Sequence, residues 1–543
     1  MSKPSVLSGA LVGGMLAAPL TALFFLADRL AGLPLAPYDV LDWMARTLPG
    51  GVIRFGIDVI VAALTLLGLS VREGAKTAEQ IMAVGGLVVT AAGVGAALFA
   101  ILRTGQGRSA IVGGAAGGLV FGTLTALIGL SVNRMAGTGP LLGAMWVIGL
   151  FVVWGAACGW AYRRLIGAPA FPTSIKAAEA LSVQALDRRR FLIRMGGGVA
   201  AITVIGAGVA AALATRREEE VGATASSPAD IAEFPVELPN VSDPLIPAPG
   251  TRAEYTPLEE HYRIDINARP PMIDGETWRL IVRGMVERPL SLSLEEIAGR
   301  YTPIHRFVTL SCISNEIAGD LISTTLWTGA SLQEVLADAG VQSGARYLTI
   351  RSADGFHEAL ALETVRNDGR IMLTYRWDGR LLPARHGFPL RLYIPDRYGM
   401  KQPKWITELI VTDEYEPGYW VVRNWDETAR VQATSVIDTV AVEAAYEREG
   451  QTLIPIGGIA YAGARGISRV EVSVDEGAWV AATLRTPLSN TTWVIWRYDW
   501  PFEAGDHIFS VRCYEGDGTP QIERRAPTFP SGATGLHRLE RRL

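Results

Sequence analysis

Histidine is missing from the first 260 residues; all six, His261, His305, His357, His386, His507 and His537, lie beyond them. A haem inside a helical bundle is usually clamped by imidazoles, so the first part of the chain lacks the usual means of holding one. Cysteine is nearly as scarce. Cys158, Cys312 and Cys513 are far apart and form no CxxC. That excludes a cysteine-rich zinc site, a disulfide framework and a CxxCH haem attachment. Charge is thin before residue 215, and the whole chain carries a formal −4. With a pI near 6.0 there is no basic surface for nucleic acid.

What the first 214 residues do have is apolar length. Six runs approach the roughly 20 helical residues a bilayer requires: Val6–Ala27, Phe55–Val71, Ile81–Leu102, Ala110–Val132, Leu141–Tyr162 and Met195–Ala214. Basic residues orient such runs by gathering on the cytoplasmic side. Arg29 and Arg46 follow the first run, Arg103 and Arg108 the third, and Arg163, Arg164, Lys176, Arg188, Arg189, Arg190 and Arg194 the fifth. The other connections carry only Arg72 with Lys76, and Arg134. Six crossings then put the N-terminus and everything after residue 214 outside the cytoplasm. Gly113, Gly114, Gly117 and Gly118 form overlapping small-xxx-small pairs that suit close helix packing. Arg54 and Asp58 stand one turn apart and are expected to pair.

Asp187-Arg188-Arg189-Arg190-Phe191-Leu192 precedes the sixth run and resembles a twin-arginine export signal; a plain basic anchor is the other reading. Residues 215–250, rich in Ala, Ser and Pro, read as a linker. Trp278–Val282, Arg306–Leu310 and Tyr347–Arg351 read as strands. Ser293-Leu294-Glu295-Glu296 and Ser331-Leu332-Gln333-Glu334 open short helices with capping boxes, the second ending at Gly340. Beyond residue 432, Val470–Asp475 and Ile508–Tyr514 alternate with period two between turns, which predicts an immunoglobulin-like β-sandwich with Cys513 in its core.

Cys312 follows the apolar strand Phe307-Val308-Thr309-Leu310 and precedes Ile313-Ser314-Asn315-Glu316. Taken alone, such a cysteine reads as buried packing; as a thiolate it is also a natural ligand for a soft transition metal. Thr309-Leu310-Ser311-Cys312-Ile313-Ser314-Asn315 resembles the molybdenum-ligand loop of the sulfite-oxidase family. His386-Gly387-Phe388-Pro389-Leu390-Arg391 and Gly399-Met400-Lys401-Gln402-Pro403-Lys404-Trp405 are similar to its pterin-contact segments. The resemblance runs from about residue 255 to the C-terminus. It implies one molybdenum on a single molybdopterin, with Cys312 as the metal's protein ligand and His386, Arg391, Gln402 and Lys404 on the cofactor. It points as well to Arg263, Asn267, Ser352 and Asp354. A terminal phosphate suits fixed cations, and Arg is the better bidentate partner.

Two departures bear on the substrate. The family's paired arginines that bind sulfite are replaced by Glu316 and Ile317, and Glu316 is expected to repel an anion. In Gly418-Tyr419-Trp420-Val421-Val422-Arg423-Asn424-Trp425, Trp425 takes the place of a tyrosine beside the metal, while Arg423 keeps an anion contact. Cys312, Arg423 and Trp425 are therefore the candidate catalytic residues. The expectation is oxygen-atom transfer at a small S- or N-centred substrate, as in the methionine-sulfoxide reductases of this family. The alternatives are a sulfite dehydrogenase and, in another class, a cofactor-less membrane-tethered binding module.

The expected architecture is a six-helix transmembrane domain (1–214), the linker (215–250), an α+β molybdopterin domain (251–431) and the Ig-like sandwich (432–543). The last is similar to the family's dimerisation domain and implies a homodimer. The chain is expected in the cell membrane with its catalytic part extracytoplasmic. Without a haem of its own it needs a separate electron-transfer partner, a cytochrome or a membrane haem subunit.

Overall fold

The computed structural model describes residues 3–104, 109–132, 139–166, 193–201, 203 and 237–543. The chain divides into two compact units. One, mostly helical, comprises Met1–Leu48, Lys76–Ala225 and Asp265–Met272; the other, mostly β, comprises Pro49–Ala75, Ser226–Ile264 and Ile273–Leu543.

Six helices come first: α1 Val6–Ala31, α2 Ala36–Thr47, α3 Gly50–Leu66, α4 Val71–Thr104, α5 Ala110–Val132 and α6 Pro140–Leu165. Four of them, α1, α4 from Gly74, α5 and α6, are long and apolar enough to cross a membrane. The second expected span falls on α3, whose 17 residues reach about 25 Å, against roughly 30 Å of hydrocarbon. Its residues belong to the β-rich unit. The sixth expected span is helical over 193–201 and otherwise lies outside the described residues, as do the twin-arginine stretch and most of the linker. α2 is amphipathic rather than apolar throughout, burying Asp39 and Asp42 along with Tyr38.

Within the helical unit, small residues set the helix contacts. A Cβ on Gly9 would lie 2.5 Å from the Gly95 carbonyl oxygen, and one on Gly13 2.4 Å from that of Ala91, so α1 and α4 run antiparallel in close contact. Lys3 Nζ donates to the Arg103 carbonyl, putting the start of α1 beside the end of α4. The expected topology places the N-terminus and Arg103 on opposite sides, whereas here the two ends lie together. Gly114 and Gly118 pack α5 onto α6 at Gly155 and Phe151, whereas Gly113 and Gly117 meet the side chains of Leu102 and Leu98.

Among the described residues the β-rich unit holds four sheets. One has five strands in the order Leu290–Leu292, Leu280–Gly284, Ile406–Thr412, Tyr347–Ser352 and His357–Ala361; only the Leu280–Gly284 and Ile406–Thr412 pair is parallel. Its apolar face packs on helices Leu294–Arg300 and Leu332–Ala339. Ser293 and Glu296 complete the expected capping box, whereas at the second helix the Ser331 side chain accepts from Glu334 N but the Glu334 carboxylate accepts from Thr302 N instead of closing the box. A second sheet joins Pro303–Ser311, Ile322–Ser331, Met372–Trp377 and Arg380–Leu381, with Arg391–Tyr393 on Met372–Trp377. Beyond residue 433 two antiparallel sheets share a core of Ile437, Ile456, Val472, Trp496, Phe509 and Val511, and Cys513 is fully buried in it.

Candidate cofactor site

Strand Pro303–Ser311 ends in five consecutive buried residues and pairs along its length with Ile322–Ser331, which is buried throughout. Cys312 is the next residue, and its position is fixed by the loop it opens. Cys312 N donates to Leu321 O (3.0 Å), Asn315 N to Cys312 O (3.1 Å) and Leu321 N to the Asn315 side-chain oxygen (2.9 Å). The thiol lies 3.0 Å from Ser314 Oγ. Burial pushes it up; hydrogen bonding from Ser314 and the charge of Lys404 act the other way.

Cys312 belongs to a buried cluster with Tyr262, Trp327 and Trp377. The two tryptophans, from neighbouring strands, carry Arg391 with its guanidinium carbon 4.6 and 5.0 Å from their ring centres. Arg391 is 2% exposed and has no salt bridge among the described residues; it donates to the His386 carbonyl (3.1 Å), and its Nε has no partner. Desolvation pulls it down to about 9. His261 and His386 both lie tilted against Trp377, with ring centres 4.3 and 4.9 Å away. Burial drives His261 to about 3 and His386 well below its usual value, so both are neutral. Gly387 allows this crowding: its φ is +116°, and a Cβ would fall 3.1 Å from that of Lys404 and 3.2 Å from that of Arg391.

The remaining expected residues divide. Gln402 is buried with its amide nitrogen on the carbonyls of Arg397 (2.8 Å) and Ile394 (3.3 Å), while its side-chain oxygen has no partner. Ser352 and Asp354 form the turn before strand His357–Ala361; Ser352 Oγ is buried and unpartnered, and Asp354 accepts from Phe356 N. Lys404 lies 5.0 Å from the Trp405 ring, and Arg263 is half-buried. Asn267 falls in the helical unit, where Arg46 donates to its side-chain oxygen (2.8 Å). Arg423 sits 3.6 Å over Tyr419 and donates to the Tyr419 carbonyl. Trp425 packs edge-on to Phe529 and Trp420. Glu316 is exposed, so solvent screens its charge and it weighs less against an anion than the sequence implies. Arg54 stacks over Phe529 rather than pairing with the exposed Asp58.

Sequence reasoning missed His261, Tyr262, Trp327 and Trp377. His261 and Tyr262 directly precede Arg263 and were within reach; a tryptophan in a strand gives no signal beyond core packing.

The residues present fit a phosphorylated, polar cofactor. Buried polar atoms normally find partners, yet His261 Nε2, Arg391 Nε, Gln402 Oε1 and Ser352 Oγ have none. An unpaired buried guanidinium calls for an anion. Among the described residues no three His, Cys, Asp or Glu are arranged to hold a metal.

Comparison with known proteins agrees. Residues 267–420 match the family Oxidoreductase molybdopterin binding domain. The chain is 29% identical to mitochondrial sulfite oxidase of Homo sapiens over 288 residues, 45% of this chain and 52% of that one. It is 28% identical to sulfite oxidase of Gallus gallus over 298 residues (47% and 64%). It is 26% identical to the NADPH nitrate reductase of Fusarium oxysporum over 256 residues (39% and 28%). Among solved structures the sulfane dehydrogenase SoxCD of Paracoccus pantotrophus matches with a TM-score of 0.46 at 21% identity, covering 57% of this chain and 86% of that one. The chain spans about half the length of the human relative, 52% of it. Residues 267–420 thus match a molybdopterin-binding oxidoreductase domain, and the chain is similar there to sulfite oxidases and nitrate reductases.

Proposed function

We propose that this chain is a membrane-anchored, extracytoplasmic oxidoreductase that transfers an oxygen atom to or from a small S- or N-centred substrate, in the manner of a sulfoxide reductase. The observation that carries the reading is the buried thiol of Cys312 in one cluster with the tryptophans that hold the unpaired Arg391. The bound group would supply the two-electron redox chemistry. Cys312 would hold the metal, and Arg391 with Lys404 the phosphate. His386, Gln402 and Ser352 would hydrogen-bond the pterin, with Arg263 and Asp354 beside them. The tryptophans exclude water. Arg423 would orient the substrate, and Trp425 shapes its pocket without offering the hydroxyl of a tyrosine. The exposure of Glu316 favours keeping sulfite as a second substrate to test. Metal analysis of the purified chain, followed by turnover assays on sulfoxides, N-oxides and sulfite in both redox directions, tests the reading; a chain without molybdenum overturns it.

In this reading five crossings, α1, α4, α5, α6 and the run 195–214, leave the N-terminus inside and residues 237–543 outside. Lys3, Arg103, Arg108, Arg163 and Arg164 then share the cytoplasmic side while Arg29, Arg46 and Arg54 join Arg72, Lys76 and Arg134 outside, so the reading rests on the packing of α1 against α4 rather than on a stronger positive-inside bias. The C-terminal sandwich is of the Ig-like, dimerising kind. Electrons pass to or from a separate haem protein.

A further inference from the structure

Pro49–Ala75 is an excursion from the helical unit into the β-rich one. Its two flanks in the helical unit meet at one residue. Arg46 donates to the Asn267 side chain and to the carbonyl of Val132, the last residue of α5; Lys76 donates to the Asn267 carbonyl (3.1 Å). The excursion therefore starts and ends where a span stops. In the β-rich unit it touches two loops. A Cβ on Gly50 would lie 3.0 Å from Arg423 Cα, and Arg54 covers Phe529, which packs on Trp425. At the other end Ser70 Oγ and Arg72 N both donate to Asp320, at 2.6 and 3.2 Å, and Val71 packs on the Cys312 cluster. Asp320 closes the cysteine loop. The excursion thus runs from the Arg423 segment to the Cys312 loop, the two segments assigned above to substrate and metal.

The two faces of α3 differ. Ile53, Arg54, Ile57, Ile60, Val61 and Leu64 are half-buried or buried. Val52, Phe55, Val59 and Leu66 are 51%, 70%, 48% and 88% exposed. With Ala62 they make an unbroken apolar stripe at helical spacing, and the only charges on α3, Arg54 and Asp58, lie off it. Leu67 and Leu69 extend the apolar surface to the start of α4. A helix too short to span, apolar on one side and lying in the chain between α2 and the membrane-length α4, has the form of an interfacial helix.

We propose that α3 is a membrane-surface cap on the cofactor site. Its outer stripe is seated in the lipid headgroup layer and its inner face lies across the mouth between Arg423 and Asp320, so that substrates reach the site along the bilayer surface. The placement of that mouth rests on the functional reading above; the lipid contact does not. The test uses the metal-loaded full chain in phosphatidylcholine–phosphatidylglycerol vesicles. Phe55→Cys, Val59→Cys, Leu66→Cys and, off the stripe, Asp58→Cys are nitroxide-labelled; the native cysteines are buried. Oxygen should relax the labels at the first three positions more than a water-soluble nickel chelate does, and the order should reverse at 58. Carbene labelling of the unaltered chain from the lipid phase should modify the segment Gly50–Leu66, which covers variants that fail to fold. Nickel access at all four positions would put the stripe in water. Exclusion of both reagents would mean that a second copy or another protein covers it. Either result overturns the proposal, whereas loss of molybdenum alone would overturn only the functional reading.

Discussion

Arg391 lies with its guanidinium 4.6 Å from the ring of Trp327, fully buried and, among the described residues, without a carboxylate to neutralise it. A cation–π contact returns part of the lost hydration, about 2 kcal/mol at a desolvated site. Desolvating the charge costs several kcal/mol. The deficit is what an anionic phosphate would offset, and it makes this arginine the residue most dependent on the cofactor.

Arg391→Ala should therefore reduce molybdenum content by about 10- to 100-fold at limiting cofactor, the value of one or two charge-assisted hydrogen bonds. Arg391→Lys keeps the charge but loses the planar fork, so it should fall between that variant and the parent. Metal per chain, measured on purified protein, checks both.

Cys312→Ser replaces a soft sulfur donor with a hard oxygen. Activity should fall by more than about 100-fold, the range already reached when only outer-shell partners of a metal are removed. Pterin content should fall less, because Arg391 and Lys404 are untouched. Turnover near that of the parent would sink the ligand assignment.

Acid should destabilise the cofactor-free chain. His261 is held at about 3 when folded, against an ordinary value of 6.5, and His386 is displaced in the same direction. Below the ordinary value the unfolded chain takes up protons that the folded one refuses, so stability falls as pH falls. The slope is about 1.4 kcal/mol per pH unit for each imidazole. It should be seen in denaturant midpoints read by tryptophan fluorescence from about pH 7 to about pH 5, and His261→Gln should reduce it.

The elements with a local code were legible in the sequence. Ser293 with Glu296, and Gly340 at φ +70°, mark helix ends by backbone chemistry that any context preserves. The cysteine loop, Arg391 and His386 were legible because three spaced motifs agree. The aromatic box was not: Trp327 and Trp377 are brought under Arg391 by strand pairing, which period-two patterning does not specify. α3, read as a span from its composition, is 17 residues long and is not among the helices long enough to cross a membrane. Composition reports that a helix is apolar, but not that one of its faces is covered by Arg423 and Phe529.

Adjacent glycines on α5 should behave differently. A Cβ on Gly114 would sit 2.2 Å from the Gly155 carbonyl oxygen, a backbone atom that moves only if α6 moves. Gly114→Ala should cost about 1–3 kcal/mol. On Gly113 a Cβ meets only the tip of Leu102, at 2.9 Å. Gly113→Ala should be near neutral, within about 0.5 kcal/mol, since alanine is the better helix former. The fraction remaining monodisperse after heating in detergent separates the two.

The two termini should lie on opposite sides of the membrane. α1 and α4 are antiparallel through Gly9, Gly13 and Gly95, and Lys3 reaches the Arg103 carbonyl, so both ends of this pair face one side. That side carries Arg103 and Arg108, and after two further crossings Arg163 and Arg164 return to it. In the proposed topology the basic run Arg188–Arg194 stays on that side and the apolar run after it supplies the last crossing, so the number of crossings is odd. Green fluorescent protein fused before Met1 should fluoresce, since it matures in the cytoplasm, and alkaline phosphatase fused after Leu543 should be active, since it matures outside. Six crossings predict a dark N-terminal fusion with the same active C-terminal one, so the N-terminal reporter alone decides between the two topologies.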